Sequence, residues 1–203
     1  MMHSSTQYVS KLIARAKSGK PALLSRIMQE IIPFNRPHRI SVIKISSEKC
    51  LVNLPDRRRN RNHLGTIHAC AMATAAEFVS GLNVLEAFDI TQYRLIMGRL
   101  EVDYLRRPKG GCTASSSWGD GQLRAVRSDI STNGVASFTL TSVVLDSLDI
   151  KVSNTRAKFI WVNLGNLINW GRPDSYKHRH SFFDYVSGVW NFKKQADVIL
   201  IDG

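Results

Sequence analysis

NHLGTIHACAMATAAEFVSGL, residues 62–82, is the stretch on which the reading of this chain turns. It carries alanine at 69, 71, 73, 75 and 76, and between Thr66 and Val79 its only acid is Glu77. A surface helix normally shows charge along one face. This segment shows almost none, which predicts a helix buried on most sides, with small residues that let other backbone come close. A lone carboxylate in such a place is costly unless it is paired or used. The helix opens after Asn62, His63 and Gly65, so its unsatisfied N–H groups and positive dipole end emerge beside polar side chains. Asn62 is a natural helix N-cap or turn residue there. A desolvated carboxylate and a cluster of backbone donors within one segment suit acyl-transfer chemistry.

Working outward toward the N-terminus, residues 6–17 read as a weak amphipathic helix with Val9, Leu12, Ile13 and Ala16 on one face. Pro21 opens a second, in which Leu23, Leu24, Ile27, Met28 and Ile31 recur at helical spacing until Pro33 stops it. Residues 39–46 and 49–54 read as two short strands, followed by a polar, basic loop over 56–62. On the other side, the central helix gives way around residues 83–88 to a β-like run over about 92–105. A basic turn follows at 106–111, then a small-residue strand at 112–118. Leu123, Val126 and Ile130 mark one face of a short helix starting at Asp120 or Gly121, and Asn133-Gly134 is a turn signal. Two strands complete the pattern, about 135–145 and 149–162. One antiparallel sheet curved around the long apolar helix is the simplest arrangement that buries it. The boundaries expected are an N-terminal helical extension over 1–34, the sheet-and-helix domain over 35–163, and a C-terminal extension over 164–203. That last segment includes Trp170, Tyr176, Phe182, Phe183, Tyr185, Trp190 and Phe192 without clean periodicity. It reads as aromatic packing onto the sheet, with membrane contact or partner binding as the sharper alternative.

Lys and Arg number 28 against 16 Asp and Glu, a net charge of +12 that implies anionic partners. Cys50, Cys70 and Cys112 have no close spacing, which argues against a disulfide framework or a zinc knuckle and for a reducing compartment. No apolar run approaches the roughly 18 residues of a membrane span. Residues 1–29 hold Lys11, Arg15, Lys17, Lys20 and Arg26 and no acid. That composition suits an amphipathic helix pair, and equally a mitochondrial transit peptide. His178 and His180 stand apart from other ligand types, so no metal is expected. Nucleic acid would also explain the charge, but the basic clusters lack interleaved aromatics and no binding motif is present.

Asn62, Gly65-Thr66, His68 and Glu77 together resemble the helix motif of the hotdog-fold thioesterases: Asn, two residues, Gly, two residues, His, and an acid nine positions after the His. The likeness is to the branch of phenylacetyl-CoA-type acyl-CoA thioesterases and a related, poorly characterised bacterial group. RLEVDYLRR at 99–107 is similar to the family's strand after the helix, and Asp146 falls where a hairpin Asp commonly sits. The resemblance spans about residues 35–162. Two features depart from it. Ala69-Cys70 replaces the usual Gly-Gly after the His, and Asp149 replaces the hairpin glycine.

The resemblance implies an α+β hotdog fold and hydrolysis of an acyl-CoA thioester to free acid and CoA. It implies that the Ala69 N–H polarises the thioester carbonyl and that Glu77 acts as general base or nucleophile, with Asn62 and His68 beside them. At about 100° per residue, His68 and Glu77 fall on nearly opposite faces of one helix. A site using both therefore needs a homodimer, or a tetramer built from dimers. Arg57, Arg58 and Arg59, with Arg106, Arg107 and Lys109, become candidates for the CoA phosphates, since Arg reads phosphate bidentately. Otherwise they are solvated surface. No cofactor is expected beyond the CoA of the substrate, and the compartment expected is the cytoplasm, with the mitochondrial matrix as alternative. The competing readings are a non-catalytic hotdog module for acyl-CoA binding or assembly and, lower, a basic nucleic-acid-binding protein.

Overall fold

A computed structural model describes residues 11, 14–15, 20–89 and 92–163 of the 203. Lys11, Ala14 and Arg15 are helical. The rest of the helix expected over 6–17, the aromatic extension over 164–203, and His178 and His180 lie outside the described residues. Three helices follow, α1 (Pro21–Ile31), α2 (Ala69–Ala87) and α3 (Gln122–Asn133). The six strands are β1 (Ser41–Lys44), β2 (Cys50–Leu54), β3 (Tyr93–Tyr104), β4 (Cys112–Ser116), β5 (Val135–Asp146) and β6 (Lys151–Asn163). They form one antiparallel sheet in the order β1-β2-β4-β5-β6-β3. The sheet carries α2 against its concave face, the hotdog arrangement that the resemblance implies.

Each element follows from its residues. β2, β4 and β5 alternate buried and open positions, as strands with one covered face must. Their inward residues, among them Val52, Leu54, Ala114 and Val144, meet Ala71, Ala75, Ala76 and Val79 of α2. Alanines keep α2 thin enough to lie close to the sheet. α1 adds Leu24 and Met28 to the same core. It is pinned there by Ser25 Oγ, which accepts the Val42 N–H at 2.8 Å, and by Gln29 Nε2, which donates to Ile40 O at 3.0 Å. A second core gathers Val84 with Leu140, Ala157, Phe159 and Trp161.

α2 ends at Ala87, within the 83–88 stretch where the sequence has the helix give way. Val84, fully buried in the second core, anchors its last turns. α3 ends where Asn133-Gly134 forecast, with Gly134 at φ 70° closing it in the left-handed conformation. Asp149 adopts φ 57° in the β5–β6 hairpin. Asp is among the few non-glycine residues that tolerate this region, so the hairpin keeps its turn without the family's glycine.

Candidate active site

The segment before α2 is a hydrogen-bonded scaffold. Asn60 is fully buried. Its Nδ2 donates to His38 O and to Pro55 O, both at 2.9 Å, which leaves Oδ1 to accept from His38 Nδ1 at 3.0 Å. The Asn60 carbonyl accepts the His68 N–H at 2.7 Å. Asn60 therefore suspends the helix start from the β2 loop, a role that sequence reading missed. Nothing in the local pattern separates Asn60 from its polar neighbours.

Asn62 does not cap α2. Its Oδ1 accepts the N–H groups of Leu64 at 2.9 Å and Thr66 at 3.3 Å, and its own N–H donates to Thr66 O at 2.8 Å. It closes a tight loop that Gly65, at φ 75°, allows to turn. The cap is His68, whose Nδ1 accepts the Cys70 N–H at 3.0 Å. In the neutral ring, that acceptance places the hydrogen on Nε2. Ala69, the first helical residue, keeps an N–H with no acceptor among the described residues. It points out of the positive end of a 19-residue helix. Tyr104 Oη, from the end of β3, donates to Ala69 O at 3.0 Å and holds the helix start against the sheet.

Glu77 sits two turns further on, in the middle of α2. It keeps part of its surface open to solvent, but protein crowds its carboxyl and no hydrogen-bond or ion-pair partner is present among the described residues. Desolvation alone pushes its pKa from an ordinary 4.5 up to about 7. Around it on the open side of α2 are Ala73, Thr74 and Gly81, all small and partly exposed. The backbone ahead of Glu77 is fixed by a buried triad. Ser80 Oγ and Ser142 Oγ lie 2.5 Å apart and each 2.9 Å from Ala76 O, so one hydroxyl donates to the carbonyl and the other to its neighbour. His68 caps one end of α2 and Glu77 projects from its middle, so a rise of about 12 Å along the helix separates the Ala69 N–H from Glu77 within a single chain.

Both basic segments lie at the end of the sheet that carries the helix start. β2 ends at Leu54 opposite Cys112, where β4 begins. A side chain at Gly111 would stand 3.1 Å from Leu54 O and 3.3 Å from Asp56 N, so the two connecting loops touch backbone to backbone. Arg57, Arg58 and Arg59 on one loop are exposed and pair with no acid among the described residues, as are Arg106, Arg107 and Lys109 on the other. Arg61 differs. It grips Asp56 through two bonds of 2.6 and 2.8 Å. Asp146 ties the β5–β6 hairpin to this end, accepting N–H groups from Lys109, Leu148 and Ile150. Burial pulls the Asp146 carboxyl upward, but those three donors and the charge of Arg106 hold it below the usual range.

Among the described residues no helix is long and apolar enough to cross a membrane, and no group of three or more His, Cys, Asp or Glu is placed to hold a metal ion.

Solved structures of the same architecture exist. A Pseudomonas aeruginosa protein of unknown function, PA5026, described as a "Probable Thioesterase", matches with a TM-score of 0.64 and 22% identity, covering 70% of this chain and 96% of its own. The Haemophilus influenzae thioesterase HI1161 matches at 0.58 and 12% identity, covering 79% and 95%. A mutant form of the Staphylococcus aureus thioesterase SAV0944 matches at 0.53 and 11%, covering 64% and 98%. At these identities the likeness is one of fold. No curated protein matches the chain. With residues 20–162 matching, the chain belongs to the family described as "Domain of unknown function (DUF4442)" and shares the hotdog fold of these structures.

Proposed function

We propose that the protein hydrolyses acyl-CoA thioesters as a homodimer or a dimer of dimers, each site joining the α2 start of one copy to Glu77 of the other. The observation that carries the reading is Glu77, a carboxyl left without a partner in the middle of the central helix and poised near neutrality. Such a group is costly as structure and useful as a base. The Ala69 N–H, unclaimed at the positive helix end, is the matching electrophilic donor. A water attacks the thioester carbon while its proton passes to the Glu77 carboxylate. The oxyanion rests on the Ala69 N–H until the C–S bond breaks, and the departing sulfur takes the proton back from Glu77. The products are the free acid and CoA, and no cofactor takes part.

Two features support the second copy. β3 is a 12-residue strand at the end of the sheet order among the described residues, the position at which another chain's strand can add. The small residues flanking Glu77 leave room for a partner's backbone. The unpaired arginines of the two touching loops suit the phosphates of the CoA nucleotide. The three cysteines, none of them in a disulfide, suit a reducing compartment, the cytoplasm or alternatively the mitochondrial matrix. A free-thiol assay across acyl-CoA chain lengths tests the reading. Turnover abolished by Glu77→Gln supports it. Saturable acyl-CoA binding without any turnover would select the non-catalytic module, which the Ala69-Cys70 pair in place of two glycines favours. Salt-sensitive binding of oligonucleotide alone would select nucleic acid.

A further inference from the structure

Under α2, two hydroxyls of β6 are left over. Ser153 Oγ and Thr155 Oγ1 belong to residues with 0% exposure, and neither has a hydrogen-bond partner among the described residues. An unsatisfied buried polar group costs about 1–3 kcal/mol, so two on alternate residues of one strand call for a physical reason.

Register gives their location. Thr155 pairs directly with Ser142 of β5, and directly paired residues share a face. Ser142 Oγ reaches Ala76 O, so that face is the one under α2. Ser153, two residues earlier, shares it. Glu77 follows Ala76 and is turned about 100° around the helix. The direction of that turn is marked by Val84, seven residues on and on the same stripe, which packs with Ala157 and Phe159 of β6. The Glu77 stripe thus looks toward β6 and β3. There Thr155 stands beside Val102, and Ser153 beside Tyr104, the residue that reaches the helix start.

A carboxyl and two hydroxyls, all without partners among the described residues, therefore share one stretch between α2 and β6. We propose that Thr155 and Ser153, together with Glu77, hold the water that attacks the thioester; this rests on the hydrolase reading above. A buried water makes about three hydrogen bonds. It donates one to Glu77 and one to a hydroxyl oxygen, and accepts one from the other hydroxyl. Its remaining lone pair faces the thioester carbon. As the O–C bond forms, the proton shared with Glu77 moves to the carboxylate, and no further reactant is needed. The hydroxyls stay buried without such a partner because they serve the water.

Thr155→Val tests this, since it exchanges the hydroxyl for a methyl of similar shape. The expected result is a fall in kcat of about 10- to 10²-fold with KM within about twofold. The melting temperature should change by no more than a few degrees, because the side-chain shape is kept and no hydrogen bond to the described protein residues is lost. Thr155→Ser should keep turnover within a few-fold, and Ser153→Ala should repeat the loss, which covers the case of a Thr155→Val chain that does not fold. A folded Thr155→Val protein with wild-type kcat would overturn the proposal. A readout independent of activity is the infrared carboxyl band of Glu77. Losing the bridging water should raise its titration point by about half a pH unit or more. An unmoved titration would overturn the water site even in a protein that hydrolyses no thioester, whereas a moved titration without turnover would keep the site and sink only the hydrolase reading.

Discussion

Replacing Glu77 by Gln should make the protein more stable at alkaline pH and no more stable in mild acid. The sign follows from protonation. In the fold Glu77 titrates near 7 against an ordinary 4.5, so between those values the native state holds a proton that the unfolded chain has released. Stability therefore falls as pH climbs from about 4.5 to about 7, and levels off above. At about 1.4 kcal/mol per pH unit of displacement, the rise to about 7 amounts to roughly 3 kcal/mol. That figure is a ceiling, because the positive helix end of a second copy would draw the pKa back down. Gln keeps the shape and carries no charge, so it removes this penalty. For a chain of this length, about 3 kcal/mol corresponds to roughly 6–12 °C in Tm. The assay is thermal unfolding of both proteins at equal protomer concentration, at about pH 5 and about pH 8. The gap should open only at the higher pH. A Gln variant that is less stable at about pH 8, or a gap independent of pH, would refute the reasoning, since it would mean that the carboxylate is paired.

Other outcomes follow from the same geometry. Ala69→Pro should fold, because proline is favoured at the first helical position and His68 already has an extended backbone, ψ 141°. It deletes only the free N–H, and kcat should drop by about 10²–10³-fold with little change in Tm. Changing Arg57, Arg58 and Arg59 together to Ser should raise KM for acyl-CoA far more than for a thioester lacking the nucleotide; equal effects on both substrates would make the loop structural. Asn83 is 1% exposed with both amide atoms unpartnered, so Asn83→Leu should stabilise by about 1–3 kcal/mol, read as a higher urea midpoint. A destabilised variant would mean that the amide is satisfied.

Much of the fold is readable along the chain because its signals are local. Alternation in β2, β4 and β5, the proline before α1, the Asn133-Gly134 stop and the uncharged run of α2 are all patterns within a dozen residues. Glu77 is conspicuous as an acid in an apolar helix, and the motif with Asn62 and His68 marks the loop that opens α2. Sequence reading fails where an assignment depends on distant partners. Asn62 has the chemistry of a helix cap or of a turn, and only the fold chooses between them: its Oδ1 serves the turn through Leu64 and Thr66, leaving the cap to His68. Asn60 matters because His38 and Pro55 lie beside it, and Tyr104 because β3 returns past Ala69. Within 83–88, where α2 ends depends on Val84, which is buried against strands more than fifty residues away. Nothing in Ser153 or Thr155 shows that their hydroxyls face a helix until the β5–β6 register is known.

The central claim is that each site is shared between two copies, and complementation measures it directly. Glu77→Gln and Ala69→Pro chains, each inactive alone, are combined by co-expression so that their subunits pair at random. A mixed dimer then holds one site with both residues intact and one with both removed. With half of the dimers mixed, turnover should return to about a quarter of wild type. Recovery near that level is the result the account predicts. No recovery, with mixed dimers demonstrably formed, would contradict it, because the Ala69 N–H and Glu77 would then act within a single chain.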